Sequence, residues 1–309
     1  MKTQKKYGGV VVPMVTPFTK ERKVDVKGVS KLVNHLIDSG THPFVIGTTG
    51  ESASLAAEEK MALVKATIKA TAGRSLVYAG ISGNCLSDSI DSAKALHDSG
   101  VDVAVATMPC FYPVDQSQVL KYFEELADRI PCPLIIYNIP ATTHLSISIT
   151  VIDKLSRHEK IVGFKDSEKG IERIDSATGL WQHRTDFSYL LGWALQSTYA
   201  MRLGADGIVP STGNVAPALY KIIVDAAVNG QHDICVRAQE KADAISRVYQ
   251  EGRLLGHSLA ALKGMLAGYK LCESYMLPPL SRLDAKDERE LSETTWSTFG
   301  DLKQINSID

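Results

Sequence analysis

Lys160-Ile161-Val162-Gly163-Phe164-Lys165-Asp166-Ser167 is an apolar run that ends in a lysine where a turn residue would be expected. Its β-branched and aromatic residues predict a strand. Side chains alternate along a strand, so Lys165 is expected to share a face with Gly163 and Ile161. If that face lines a closed barrel, the ammonium is desolvated and its pKa falls from about 10.4 toward roughly 7 to 8. An uncharged amine at neutral pH is a nucleophile for carbonyl carbon. On a sheet edge the same lysine would only snorkel to water, so its meaning depends on the elements around it.

Those elements alternate from Gly8 to about residue 229. Strands are expected at Gly9 to Val15, His42 to Gly47, Leu76 to Ile81, Asp102 to Met108, Pro133 to Asn138, Lys160 to Lys165, Phe187 to Gly192 and Ala205 to Pro210. Helical periods fall between them at Val26 to Ser39, Ala56 to Ala72, Leu86 to Ser99, Asp115 to Arg129 and Ala216 to Asn229. This alternation predicts parallel pairing with right-handed crossovers. Asp38-Ser39-Gly40, Asp98-Ser99-Gly100 and Arg202-Leu203-Gly204 each put glycine where a left-handed helix cap precedes a strand. Eight strands in this length fit an α/β fold, a TIM (β/α)8 barrel. A doubly wound dinucleotide-binding sheet would want a G-x-G-x-x-G turn after its first strand, and none is present.

Beyond Gly230 the strand signal stops, and residues 233 to 250, 257 to 272 and 287 to 300 read as helices. The second carries Leu259, Leu262, Met265, Leu266 and Tyr269 at packing spacing, and Leu277-Pro278-Pro279-Leu280 breaks the chain after it. The expected organisation is a catalytic barrel over residues 1–229 and a C-terminal helical extension over 230–309 that caps it or meets another subunit.

Lysine plus arginine number 34 against 35 acidic residues, a net charge of -1, which removes the electrostatic argument for nucleic acid or an anionic membrane. No apolar run approaches the roughly 18 residues that cross a bilayer, and Met1-Lys2-Thr3-Gln4-Lys5-Lys6 leads into a strand without an export signal. Cys85, Cys110, Cys132, Cys235 and Cys272 are odd in number and never spaced C-x-x-C, which suits a reducing cytoplasm. The histidines show neither H-x-H nor H-E-x-x-H, so no metal is expected.

Barrel chemistry gathers at the C-terminal ends of strands. The second strand ends in Gly47-Thr48-Thr49-Gly50-Glu51-Ser52, where glycines permit a tight turn and leave N–H groups and two hydroxyls for a carboxylate. The fifth ends in Tyr137-Asn138-Ile139-Pro140, and a phenol there can pass a proton to an amine about one strand away. Separately, these are an ordinary capped loop and a core tyrosine. Together with Lys165 they are the parts a 2-oxo acid needs. The amine condenses with the keto carbon, Thr48 and Thr49 hold the carboxylate, and Tyr137 moves protons. The protonated imine then withdraws electrons so that an adjacent carbon-carbon bond breaks or forms through an enamine. Gly47, Thr49 and Val209 are candidate substrate-binding residues at strand ends.

These three segments, with the opening Val15-Thr16-Pro17-Phe18 and the later Ala205-Asp206-Gly207, resemble the dihydrodipicolinate synthase and N-acetylneuraminate lyase family of Schiff-base class I aldolases. The resemblance covers nearly the whole chain. It implies Lys165 as imine former, Tyr137 as proton relay, Thr48 and Thr49 at the carboxylate, no cofactor beyond the covalent imine, pyruvate as bound partner, and a homotetramer built as a dimer of dimers. Dihydrodipicolinate synthases carry an arginine after the Y-N-x-P motif, where this chain has Ala141-Thr142-Thr143-His144. They also lend a tyrosine across the dimer from the loop after strand four. Here Phe111 stands at that place, with Tyr112 beside it. Neuraminate lyases have an acidic pair after strand seven, and Gly192-Trp193-Ala194-Leu195-Gln196 offers none. The expectation is therefore aldol cleavage or synthesis of a 2-keto-3-deoxy sugar acid. The resemblance adds Phe111, Thr142, Thr143 and Ser167 as candidate substrate-binding residues, with His144, Glu168 and Gln196 as further readers of a hydroxyl tail. Dihydrodipicolinate synthase and N-acetylneuraminate lyase activity proper are the nearer alternatives.

Two other readings belong to different classes. Ser211-Thr212-Gly213-Asn214, after strand eight, occupies the place where many barrels hold phosphate. A silent pyruvate-binding member would keep the pocket without turnover.

Overall fold

Eight parallel strands pair in chain order and close on themselves: β1 Gly9–Pro13, β2 His42–Val45, β3 Tyr78–Gly80, β4 Val103–Ala106, β5 Leu134–Asn138, β6 Ile161–Asp166, β7 Ser188–Leu191 and β8 Gly207–Ile208. The closure is made by Gly9 against Gly207 and Val10 against Ile208. The computed structural model describes residues 5–308, so residues 1–4 of the expected N-terminal lead-in lie outside it. The architecture is the expected TIM barrel with a C-terminal helical region.

Helices α1 Val26–Asp38, α2 Ala57–Thr71, α3 Leu86–Asp98, α4 Gln116–Arg129, α5 Pro140–Thr143, α6 Ile149–Leu155, α7 Ile171–Trp181, α8 Ser197–Leu203 and α9 Pro217–Val228 follow the strands. Local chemistry fixes their ends. The Asp25 carboxylate accepts from Lys27 N–H, and Asp115 with Gln118 forms a reciprocal cap on α4. Gly40, Gly100 and Gly204 take φ of +74°, +100° and +103°, the left-handed region their sequence contexts predicted. The chain continues with α10 His232–Gln250, α11 Leu255–Gly268, α12 Ala285–Phe299 and α13 Leu302–Ile305, of which α10 packs along α9. No described helix is long and apolar enough to cross a membrane.

Two layers of core result. Inside the barrel, Val11, Phe44, Tyr78, Val103, Val105, Ile135, Tyr137, Leu190 and Val209 form one cluster. The opposite faces of the strands, including Leu134, Ile136 and Phe164, join the helices in a larger one. The strands are shorter than the apolar runs suggested. β2 stops at Val45 because Ile46 adopts φ 56°, a strained setting for a β-branched residue, and directs its carbonyl at β3. A β-carbon on Gly80 would meet that carbonyl oxygen at 2.0 Å, so only glycine fits there.

One expectation about the decisive strand is corrected. Ile161 does not share a face with Lys165. Leu134 pairs with Ile161 and the next residue, Ile135, pairs with Gly163, so β6 carries one extra residue at this point. The bulge leaves Ile161 in the outer core and turns Val162 against the inner cluster, with Gly163 and Lys165 beyond it opposite the inward Ile135 and Tyr137.

Candidate active site

Lys165 ends up inside the closed ring because it pairs directly with Tyr137 of β5 on one side and Leu190 of β7 on the other. It is 4% exposed. Its Nζ lies 3.6 Å from the centroid of the Tyr137 ring and 4.8 Å from that of Phe44. Burial alone lowers its pKa from 10.5 to about 7, with no carboxylate near enough to hold the charge. At neutral pH roughly half of such amines are unprotonated.

Tyr137 is buried as well, and desolvation raises its phenol above the ordinary range. Side-chain hydrogen bonds with Ser167 and Thr48 act in the opposite direction. The phenol therefore links the residue after β6 to the turn after β2.

That turn is a single 3-10 turn, Thr48–Gly50. The N–H groups of Gly50, Glu51 and Ser52 return to carbonyls within it, leaving those of Thr48 and Thr49 without an acceptor among the described residues. Fully buried Thr16 donates its hydroxyl to the Gly50 carbonyl at 2.7 Å, which gives the opening Val15-Thr16-Pro17 a physical task. A cavity of about 600 Å³ opens above these groups. Gly47, Thr48, Tyr137, Thr142 and Thr143 line it. Thr49 is half-buried and stands outside its wall, Val209 belongs to the inner core, and Ser167 reaches it only through the phenol. Phe111 is 73% exposed and Tyr112 74%, ring against ring at 4.9 Å, away from the cavity of their own chain.

The residue after the lysine anchors the outside of the same strand. The Asp166 carboxylate accepts from Arg173 Nε at 2.5 Å, from Asn138 Nδ2 at 2.8 Å and from the Glu168 N–H at 3.1 Å. Burial nonetheless holds its pKa above the usual carboxylate range. Glu168, a possible reader of substrate, instead accepts from Asn138 and Ser146 in this outer network. His144 is exposed at the left-handed end of α5, and Trp193 packs against the outer core.

The turn after β8 is already filled. Ser211 and Thr212 hydroxyls meet the Tyr249 hydroxyl of α10 at 2.8 and 2.9 Å, and buried Asn214 bridges Val15 N–H and the Pro13 carbonyl. With these groups satisfied internally, the phosphate reading loses its site. Among the described residues no cluster of histidine, cysteine, aspartate or glutamate could hold a metal ion.

Sequence reasoning missed part of the wall. Ser82 and Asn84 follow β3 and Thr107 and Cys110 follow β4, tied together by Thr107 N–H to Ser82 Oγ at 2.9 Å and Cys110 N–H to Asn84 Oδ1 at 3.1 Å. Their signal was position, since they sit just past strand ends like Thr48 and Tyr137. Leu255, Leu259, Pro279 and Leu280 also reach the cavity from the C-terminal region, and no local motif marked them.

A closed parallel barrel with a desolvated lysine and a phenol at its C-terminal end defines an enzyme, a lyase of the Schiff-base aldolase kind. The dihydrodipicolinate synthetase family model matches residues 6–296, and the chain belongs to that family. It is 33% identical over 226 residues to the 4-hydroxy-tetrahydrodipicolinate synthase of Aquifex aeolicus, covering 72% of this chain and 76% of that one. The structure of the dihydrodipicolinate synthase from Bacteroides thetaiotaomicron aligns with a TM-score of 0.90 at 30% identity, covering 96% of this chain and all of that one (100%). The chloride-inhibited dihydrodipicolinate synthase from Acinetobacter baumannii, solved with pyruvate, aligns at 0.85 and 26% identity, covering 96% and 98%.

Proposed function

We propose that this enzyme binds pyruvate as an imine on Lys165 and makes or cleaves a 2-keto-3-deoxy sugar acid. The observation that carries the reading is the lysine amine, brought to about pH 7 by burial alone and held 3.6 Å from the Tyr137 ring. The unprotonated amine adds to the keto carbon, and the carbinolamine loses water as Tyr137 supplies the proton. In the cleavage direction the imine accepts the electron pair of the breaking carbon-carbon bond. The hydroxyl on the leaving carbon gives its proton to the Tyr137 phenolate and departs as an aldehyde, the enamine left behind takes a proton at its terminal carbon, and water then returns pyruvate and the free amine. Thr48, with its hydroxyl and N–H, and Thr49, with its N–H alone, hold the carboxylate.

The tail-reading residues favour hydroxyls over a second carboxylate. Thr142 and Thr143 donate their hydroxyl protons to the Ile139 carbonyl at 3.4 and 3.0 Å, so what they offer the cavity is acceptor lone pairs. Lone pairs attract substrate O–H groups and repel carboxylates. No arginine follows Pro140 to reverse that preference. Relatives named as 4-hydroxy-tetrahydrodipicolinate synthase support a second reading, condensation of pyruvate with aspartate semialdehyde. The exposed Phe111 and Tyr112 are consistent with a loop that reaches a partner subunit in a homotetramer.

The test is pyruvate release from a panel of 2-keto-3-deoxy sugar acids, run beside sialic acid and pyruvate with aspartate semialdehyde. Turnover of a sugar acid well above the other two supports the proposal. Preferential use of aspartate semialdehyde replaces it with the second reading. Pyruvate binding without turnover of any of them marks a silent member.

A further inference from the structure

We propose that Lys263 is a positioning residue for the carboxylate-binding turn, acting from the C-terminal helices through Glu51. The inference rests on the reading that Thr48 and Thr49 hold the substrate carboxylate.

Glu51 is the residue after the Thr48–Gly50 turn and takes φ 59°, a left-handed setting that is strained for a non-glycine residue. Its N–H donates to the Thr48 carbonyl at 3.1 Å, and its own carbonyl accepts from Ser54 N–H at 2.9 Å. Its conformation and that of the threonine turn are thus one conformation. The side chain leaves the barrel. Oε1 lies 2.5 Å from Lys263 Nζ of α11, and Oε2 accepts from the Leu277 N–H at 2.9 Å. Lys263 in turn donates to the Tyr275 carbonyl at 2.8 Å and lies 4.1 Å from the centroid of the Phe18 ring.

Side-chain exposure of the pair is 1% for Lys263 and 0% for Glu51. Ion pairs so deep gain little net stability, because desolvating two charges offsets their attraction. What the pair does supply is geometry. It clamps a strained residue from behind, so the turn in front cannot relax to the right-handed conformation that Glu51 would otherwise prefer. The segment that completes the clamp, Leu277 to Leu280, also contributes Pro279 and Leu280 to the cavity wall. The C-terminal helices therefore take part in substrate binding, and the barrel alone is an incomplete site.

The experiment measures borohydride trapping of pyruvate on the full-length protein at increasing pyruvate concentration, with the melting temperature read on the same samples. Three chains are compared: wild type, Lys263→Met, and the double variant Glu51→Leu with Lys263→Met, which leaves no buried charge unpaired and keeps a folded protein to measure if the single variant fails. The expected result is that half-saturation by pyruvate rises about tenfold or more in both variants. The double variant should regain most of the wild-type melting temperature without regaining pyruvate affinity, while maximal trapping stays near wild type because Lys165 is on another element. A double variant with wild-type half-saturation would overturn the proposal and leave the pair a structural feature only. Absence of trapping in the wild-type protein would instead sink the site assignment beneath it, so the two failures are distinguishable.

Discussion

Lys165 and Tyr137 are register partners on neighbouring strands, and the amine of the first lies 3.6 Å from the ring centroid of the second. An ammonium over a ring face is attracted to it, yet burial here outweighs that attraction and brings the pKa to about 7. The pairing puts an amine and a phenol on adjacent inward positions without any loop having to close.

The first consequence concerns pH. Lysine in the unfolded chain titrates near 10.5 and in the fold near 7, so the penalty for burying the ammonium is fully present below about pH 7. It is lost as pH rises toward 10.5. Lys165→Met should raise stability at pH 6 by up to about 5 kcal/mol, with the gain fading toward pH 10. Thermal melts of both proteins across that range check this. The rate of imine formation in the wild type should rise with pH through an inflection near 7.

Tyr137→Phe removes one hydroxyl from a buried site and keeps the ring that packs in the inner cluster and against the Lys165 amine. We expect the fold to persist and turnover to fall by roughly 10² or more, with pyruvate half-saturation little changed. Steady-state kinetics decide it. Wild-type turnover in this variant would remove Tyr137 from the proton path.

Gly80→Ala places a methyl group 2.0 Å from the Ile46 carbonyl oxygen, and that contact is backbone on both sides. It should cost about 3 kcal/mol or more and displace the start of the threonine turn. Chemical denaturation measures the loss, and a stability within 0.5 kcal/mol of wild type, the usual range of surface substitutions, would show that β2 and β3 can separate cheaply.

Arg173→Leu leaves the 1%-exposed Asp166 without its cation. Removing one partner of a buried pair costs about 3–5 kcal/mol, whereas Asp166→Asn combined with Arg173→Leu should recover much of it. Denaturation of single and double variants separates the two outcomes.

The barrel was legible because strand count, helix period and glycine caps all carry local signals. Gly40, Gly100 and Gly204 were readable one by one, and the first four long helices were bounded to within one residue. The inward lysine was legible because it ends an apolar run. What escaped has nonlocal causes. The bulge at Val162 depends on how β5 and β6 pair, and nothing in the run Ile161-Val162-Gly163 announces an extra residue. Glu51 and Lys263 are 212 residues apart and meet only when α11 docks. Ser82, Asn84 and Thr107 could have been found by applying the strand-end rule to β3 and β4 as it was applied to β2, β5 and β6.

The central claim is that the amine of Lys165, buried within the barrel and unprotonated in about half of the molecules at neutral pH, bonds covalently to a ketone. Reduction of the protein with borohydride in the presence of pyruvate, followed by mass spectrometry of its peptides, tests this directly. The account predicts one 1-carboxyethyl adduct per chain, the reduced imine, on the peptide containing Lys165, absent in Lys165→Ala. An unmodified Lys165 under saturating pyruvate, or the adduct on another lysine, would contradict it.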